Sequence, residues 1–253
     1  GGGKLYIVGT GPGAPGHVTP EAQQALDDSQ VIVGYAPYLE RLGALAEGKE
    51  LISSGMTQEV SRAEQAIAAA LSGKRVAVVS SGDAGIYGMA GLVLELMCRR
   101  GVEMEVAVVP GVPALCAAAA CLGAPLMHDF AVISLSDLLT PWEVIQRRLE
   151  AVAAADFVIV LYNPSSRTRR RGLRDCRDIL LRHRRADTPV GIVRNALREG
   201  QEVTLATLET MLEHGIDMLT TVIVGSSTTF VCQGRMITPR GYSLGPGSPE
   251  RSP

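Results

Sequence analysis

The chain has 253 residues, 46% of them hydrophobic, and a formal net charge of -2. It is long enough for one large or two small domains, with no global attraction to nucleic acid or anionic membrane. Aromatic residues make up only 4%, which disfavours a base-stacking platform, and no apolar run reaches membrane-spanning length. Gly1-Gly2-Gly3-Lys4 has no signal-peptide pattern. The five cysteines, Cys98, Cys116, Cys121, Cys176 and Cys232, are scattered without a CxxC pair, so no zinc site, no other metal site and no disulfide framework is expected, and a reducing cytosol is.

Leu5-Tyr-Ile-Val8 predicts a short strand running into Gly9-Thr-Gly-Pro-Gly-Ala14, which fits the G-x-G-x-x-A dinucleotide fingerprint. In that fingerprint a helix starts directly behind the glycines, so that its N-terminus meets the pyrophosphate. Here Pro15-Gly-His17 intervene, and the helix signal is Thr19 as N-cap with Pro20 at N1. The next strand, 31–33, ends in Gly34-Tyr35 without an acid for a ribose. The loop is a weak signal for NAD and a fair one for another ligand. Residues 39–45 predict a short helix, 51–55 an extended piece, and 61–71 an alanine-rich helix closed by Gly73. Val76-Ala-Val-Val79 is a continuous apolar run, the pattern of a strand buried on both faces. It opens through residues 80–88 into a helix over 89–100. Gly82, Gly85 and Gly88 would let a ligand approach the main chain, with Asp83 as acceptor; a tight turn with a capping Asp is an equal alternative.

Residues 105–109 predict a strand ending at Pro110-Gly-Val-Pro113, before a helix of very small residues over 114–122. The alternation of strand and helix indicates an α/β fold with mostly parallel sheets. Residues 123–129 read as a linker into a second unit, so an N-terminal α/β domain over 1–124 and a C-terminal one over 125–244 are expected. Strands are predicted over 131–136, 156–162, 190–193 and 221–224. One helix starts at the capping box Thr140-Pro-Trp-Glu143, with Pro141 at N1, and another spans 205–214. The Gly, Pro and Ser content of residues 245–253 predicts a disordered tail.

Nine arginines lie between Arg167 and Arg185, most simply a solvated face. Arg167, just behind Asn163-Pro164, is the one nearest a strand end, where it can pair with an anionic ligand. His128 and Asp129 are either an acid/base pair or a satisfied turn, and Ser134, Ser136 and Asp137 carry the same ambiguity. Tyr162-Asn-Pro164, Arg194-Asn-Ala196 and residues 225–229 follow predicted strands; together they would line one edge, as a single large site requires. No nucleophile elbow, P-loop or HExxH is present.

Gly9-x-Gly-Pro-Gly13, Ser81-Gly-Asp83 with Gly85-Ile-Tyr-Gly88, Pro110-Gly-Val-x-Ala114 and Leu161-Tyr162, in that order, resemble the tetrapyrrole (corrin/porphyrin) methylase family from about Leu5 to Leu244. Within it, Ile133-Ser-Leu-Ser-Asp-Leu-Leu-Thr-Pro-Trp142, Leu161-Tyr-Asn-Pro164 and Gly191-Ile-Val-Arg-Asn-Ala196 most resemble members that methylate carbon 17 of precorrin-3B, contracting the ring to precorrin-4 in cobalamin biosynthesis. The resemblance implies two α/β domains in a homodimer, with S-adenosylmethionine bound in the cleft between them. It implies cofactor contacts at Pro12, Gly82, Asp83, Ile86, Pro113, Ala114, Asn163, Asn195 and Ala196. It also implies that the loop with Gly11 and Gly13 faces a precorrin substrate whose carboxylates meet Arg167 or Arg194. Ala84 stands where many members have Pro, and Pro113 where many have Ser or Thr. Methyl transfer needs alignment more than a strong nucleophile, but ring contraction asks for an acid/base group, for which His128, Asp129 and Ser134 are candidates. Another corrin-pathway methylase or a cobalt-containing substrate (cobalt-factor III) is the alternative within the class. A nicotinamide-dependent oxidoreductase and an RNA-binding protein stand outside it.

Overall fold

The computed structural model describes residues 2–164 and 170–246 and divides the chain into two units, residues 1–114 and 115–253. The first unit alternates strand and helix: β1 (Lys4–Gly9), α1 (Pro20–Asp28), β2 (Val31–Tyr35), α2 (Ala36–Leu42), β3 (Glu50–Ser54), α3 (Glu59–Leu71), β4 (Arg75–Ser80), α4 (Ala90–Arg99) and β5 (Glu105–Val109). The strands form one sheet in the order β3-β2-β4-β1-β5, and every pairing is parallel. Period-two alternation explains the continuous apolar run in β4. Val76 and Val78 join Leu5, Ile7, Val31 and Val33 under α3 and α4, while Ala77 and Val79 join Val8 and Ile32 under α1 and α2. Thr19 caps α1 as the sequence predicts, its side chain accepting the Ala22 N–H at 3.0 Å with Pro20 at N1.

The helix α5 (Ala114–Leu122) leads into the second unit. There follow β6 (Gly123–Ala124), β7 (Phe130–Ser134), α6 (Trp142–Ala154), β8 (Val158–Tyr162), α7 (Arg170–Leu181), β9 (Pro189–Arg194), β10 (Glu202–Thr207), β11 (Thr220–Val224), β12 (Phe230–Cys232) and β13 (Arg235–Ile237). The main sheet has the order β10-β9-β11-β8-β7 and is mixed: β7 and β8 are parallel, while β11 runs antiparallel to both β8 and β9. One face is covered by α6 and α7, through residues such as Ile159, Leu161, Ile192, Leu149 and Leu180. Leu115, Ala118 and Leu122 of α5 cover the other. The small residues of α5 serve this close approach. At Gly191 a Cβ would lie 2.3 Å from Leu122 Cδ1, so the glycine makes room for that helix. Cys176 is wholly buried in this core, and burial pushes its thiol up to about 12.

Two local expectations are corrected. The segment predicted as a helix over 205–214 is the antiparallel strand β10 followed by a 3-10 turn (Met211–Glu213). Its Val203 to Leu205 stretch pairs with β9, and ladder hydrogen bonds override a weak helical periodicity. No capping box forms at 140–143 either: Pro141 is itself the N-cap of α6, and no side chain caps it.

Candidate functional site

At the carboxyl edge of the first sheet, β1, β4 and β5 release three loops that touch through their backbones. Gly11 and Gly82 exchange N–H···O bonds of 3.0 and 2.8 Å. A Cβ on Gly9 would stand 2.7 Å from the Gly82 carbonyl oxygen, and one on Gly111 only 2.3 Å from it. These glycines are therefore required by loop packing. Gly88 is required likewise, its Cβ position lying 2.3 Å from the Ala84 oxygen. Gly82 differs. It has φ +68°, and its Cβ position meets nothing nearer than 3.5 Å, at Ala114 N and Pro113 Cα. Asp83 fastens the same loops: Oδ1 accepts the Gly111 N–H at 3.0 Å and Oδ2 the Gly85 N–H at 2.9 Å. Pro12 is buried and Gly13 has φ 144°, while Ile86 and Tyr87 stand exposed at the tip of the β4 loop.

Arg62, which the sequence reading passed over, underlies this edge. It is 5% exposed. Its Nε donates to Ser54 Oγ at 2.7 Å, one terminal nitrogen to the Gly55 carbonyl at 3.1 Å and the other to the Met89 sulfur at 3.6 Å, with the Tyr35 ring 5.9 Å away. The ends of β2 and β3 and the start of α4 are thus gathered on one guanidinium. A signal existed: Arg62 falls on the buried stripe of α3 with Ala63, Ala66, Ile67 and Ala70.

At the carboxyl edge of the second sheet, Ser134, Tyr162 and Arg194 end the codirectional strands β7, β8 and β9. Asn163 and Asn195 follow directly, with φ 51° and 50°, a left-handed conformation that Asn tolerates better than most residues. The Asn163 amide donates to Ser134 Oγ at 2.9 Å, and the Ser136 N–H donates to the same oxygen at 3.3 Å. The Asn195 side-chain Oδ1 accepts two bonds from the Arg198 guanidinium, at 2.9 and 2.6 Å, and the Asn195 backbone N–H donates to the Leu219 carbonyl at 3.0 Å. Ala196 follows Asn195, half-buried against the face that α5 covers. Arg194 is engaged through Nε with Asp217 at 2.8 Å. Burial by itself would raise the Asp217 carboxyl, but Arg194, the Leu219 N–H and the Thr220 hydroxyl hold it below the ordinary range. Arg167 lies outside the described residues.

Of the acid/base candidates, Ser134 stands apart from His128 and Asp129. Those two precede β7, and Ser134 ends it, so the length of the strand, about 15 Å, separates them. They are therefore separate candidates for the acid/base group rather than partners in one arrangement. The same antiparallel logic removes residues 225–229 from the carboxyl edge: β11 runs opposite to β8 and β9, so its end lies at their starts. His128, Asp129, Asp156, Ser226, Thr228 and Arg240 instead line a pocket of about 320 Å³ at the amino edge. His128 Nδ1 accepts the Asp129 N–H at 2.8 Å, the satisfied-turn alternative.

Among the described residues the arginine run carries surface ion pairs, including Arg171–Asp175, Arg177–Asp178 and Arg185–Asp187. Arg184 is the departure from that pattern. It is buried, donates to the carbonyls of Gly225, Val152 and Phe157, and burial lowers its pKa.

The profile of the tetrapyrrole (corrin/porphyrin) methylases matches residues 4–212. The chain is 51% identical over 95% of its length to a cobalt-factor III methyltransferase of Priestia megaterium, of which it spans only 45%. It is 50% identical over 95% of its length to a probable cobalt-factor III C(17)-methyltransferase of Salmonella typhimurium, all of which it covers. The crystal structure of the methyltransferase CobJ superimposes with a TM-score of 0.89 at 36% identity, covering 94% of this chain and 100% of that one. Loops that carry the expected motifs, a fold shared with a solved methyltransferase and a profile match across most of the sequence agree, and the chain belongs to the tetrapyrrole (corrin/porphyrin) methylases.

Proposed function

We propose that this chain methylates carbon 17 of a precorrin-3B-type tetrapyrrole, with S-adenosylmethionine as methyl donor and with ring contraction, in cobalamin biosynthesis. The observation that carries this reading is the 50% identity over 95% of the chain to the full-length Salmonella relative whose name specifies carbon 17. The relatives at 50–51% are named for cobalt-factor III, and one from Sinorhizobium named for precorrin-3B is 41% identical. That ordering favours the cobalt-containing substrate over the cobalt-free one.

The carboxyl edge of the first sheet fits the cofactor. Pro113 and Ala114, half-buried beside Gly82, add small apolar surface, Ile86 offers an exposed aliphatic chain, and the buried Pro12 and Gly82 shape the loops behind them. When bound, S-adenosylmethionine supplies an electrophilic methyl group on a sulfonium. The residues named here hold and orient it and keep water away, which is what an in-line displacement asks of a protein. Asp83 acts by fixing the loops rather than as a base, because each of its oxygens already accepts a backbone N–H. In the second unit Asn163, Asn195 and Ala196 are the proposed cofactor contacts. Arg194 commits only Nε to Asp217 and keeps its other donors for a substrate carboxylate. Ser134 is the proton-handling candidate: its oxygen accepts twice, which leaves the hydroxyl hydrogen to donate elsewhere. The working form is a cytoplasmic homodimer.

Titration calorimetry with S-adenosylhomocysteine, with NADH as control, tests the cofactor. Micromolar binding of the first and none of the second is expected, and the reverse overturns the reading in favour of an oxidoreductase. Product analysis with the cobalt-containing and cobalt-free substrates then decides between the two.

A further inference from the structure

We propose that Tyr162 is a positioning residue for the cofactor, acting through the first turn of α5; the proposal rests on the methyltransferase reading above. Tyr162 ends β8 and packs against the apolar cluster that includes Leu115, Ala118 and Leu122 of α5. Its hydroxyl oxygen accepts the N–H of Leu115 at 2.7 Å. Leu115 is the second residue of α5, and the first N–H groups of a helix have no partner within it. Such groups are ordinarily met by a Ser, Thr, Asp or Asn side chain directly ahead of the helix. The residue ahead here is Pro113, whose ring carries no acceptor. The acceptor comes instead from a tyrosine 47 positions further along the chain.

The consequence is local and specific. The start of α5 is fixed to the end of β8 rather than to its own preceding residue. Ala114, covalently next to Leu115, is one of the proposed cofactor contacts, and its nitrogen lies 3.5 Å from the Cβ position of Gly82, another of them. A shift of the first turn by a few tenths of an ångström changes the surface these residues offer. Tyr162 touches neither cofactor nor reacting atoms in this account. It sets where Pro113 and Ala114 stand.

Tyr162→Phe keeps the ring and its packing and removes the acceptor. S-adenosylhomocysteine affinity is expected to fall about five- to tenfold, the effect of one hydrogen bond. KM for S-adenosylmethionine should rise by a similar factor while kcat at saturation stays within about twofold. Amide hydrogen exchange at Leu115 should quicken with no change in the exchange of the β8 and β9 core. A variant that merely folded less well would lose kcat at unchanged KM and exchange faster throughout, and that result overturns the proposal. So does unchanged affinity beside a wild type that binds. Failure of the wild type itself to bind is the distinct outcome that removes the cofactor reading and this inference together.

Discussion

The carboxyl edges of the two sheets solve the same problem by different means. In the first unit the loops after β1, β4 and β5 are joined backbone to backbone, with Gly9, Gly82 and Gly111 in mutual contact and Asp83 fastening two N–H groups. In the second unit the corresponding loops are held by side chains: Asn163 on Ser134, Arg198 on Asn195, Arg194 on Asp217. A backbone-to-backbone joint leaves no room for a Cβ, so it fixes a surface that does not vary. A side-chain joint can be retuned one residue at a time. That difference says which edge should be brittle.

Gly111→Ala is the harshest test of the brittle edge. Its Cβ would lie 2.3 Å from the Gly82 oxygen, a backbone atom that cannot rotate away. A loss of about 3 kcal/mol in stability, or of all measurable S-adenosylhomocysteine binding, is expected by thermal melts and calorimetry. Gly85→Ala, whose Cβ meets only Asp83 Oδ2 at 3.4 Å, should change stability by less than about 0.5 kcal/mol. Equal damage from both would erase the contrast.

At the side-chain edge, Ser134→Ala should lower ring-contracted product formation about a hundredfold and, because Asn163 loses its acceptor, cofactor affinity by no more than about tenfold. His128→Ala, at the far end of β7, should leave turnover within about twofold. Loss of turnover in His128→Ala with none in Ser134→Ala would move the acid/base function to the amino edge.

A slight effect is expected from the partly exposed pair of Arg194 and Asp217. The Asp217 carboxyl has its pKa lowered on folding from 3.8, so its contribution is complete above that pH and is lost as pH falls through the lower folded value. Asp217→Asn should therefore lower stability at neutral pH slightly and flatten the acid side of the stability curve. A steeper acid slope in the variant would show that the pair does not carry this dependence.

The elements of the first unit were legible because their signals are local. A β-branched run buried on both faces, Thr19 with Pro20, and the glycines behind α3 and α4 depend on near neighbours alone. The family motifs were legible for the same reason: Gly9, Gly82 and Gly111 are demanded by a backbone geometry that only one residue type satisfies. Strand direction in the second unit was not local. A sequence segment that pairs reads alike whether it runs up or down, so the reversal of β11 was invisible, and with it the displacement of residues 225–229 to the amino edge. The same holds for β10, whose pattern over 205–214 was ambiguous until β9 supplied its hydrogen bonds.

What the amino-acid sequence determined by itself is the α/β alternation, the glycine-built loops and the membership of the family, all of which follow from short-range sterics and residue order. What only the tertiary structure decided is which polar side chains meet. Tyr162 reaches Leu115, Arg194 reaches Asp217, Arg62 gathers three strand and helix ends, and Ser134 parts company with His128. Those pairings span 7 to 47 positions of sequence, and the hydrogen bonds that make them exist only once the sheets have brought the strand ends together.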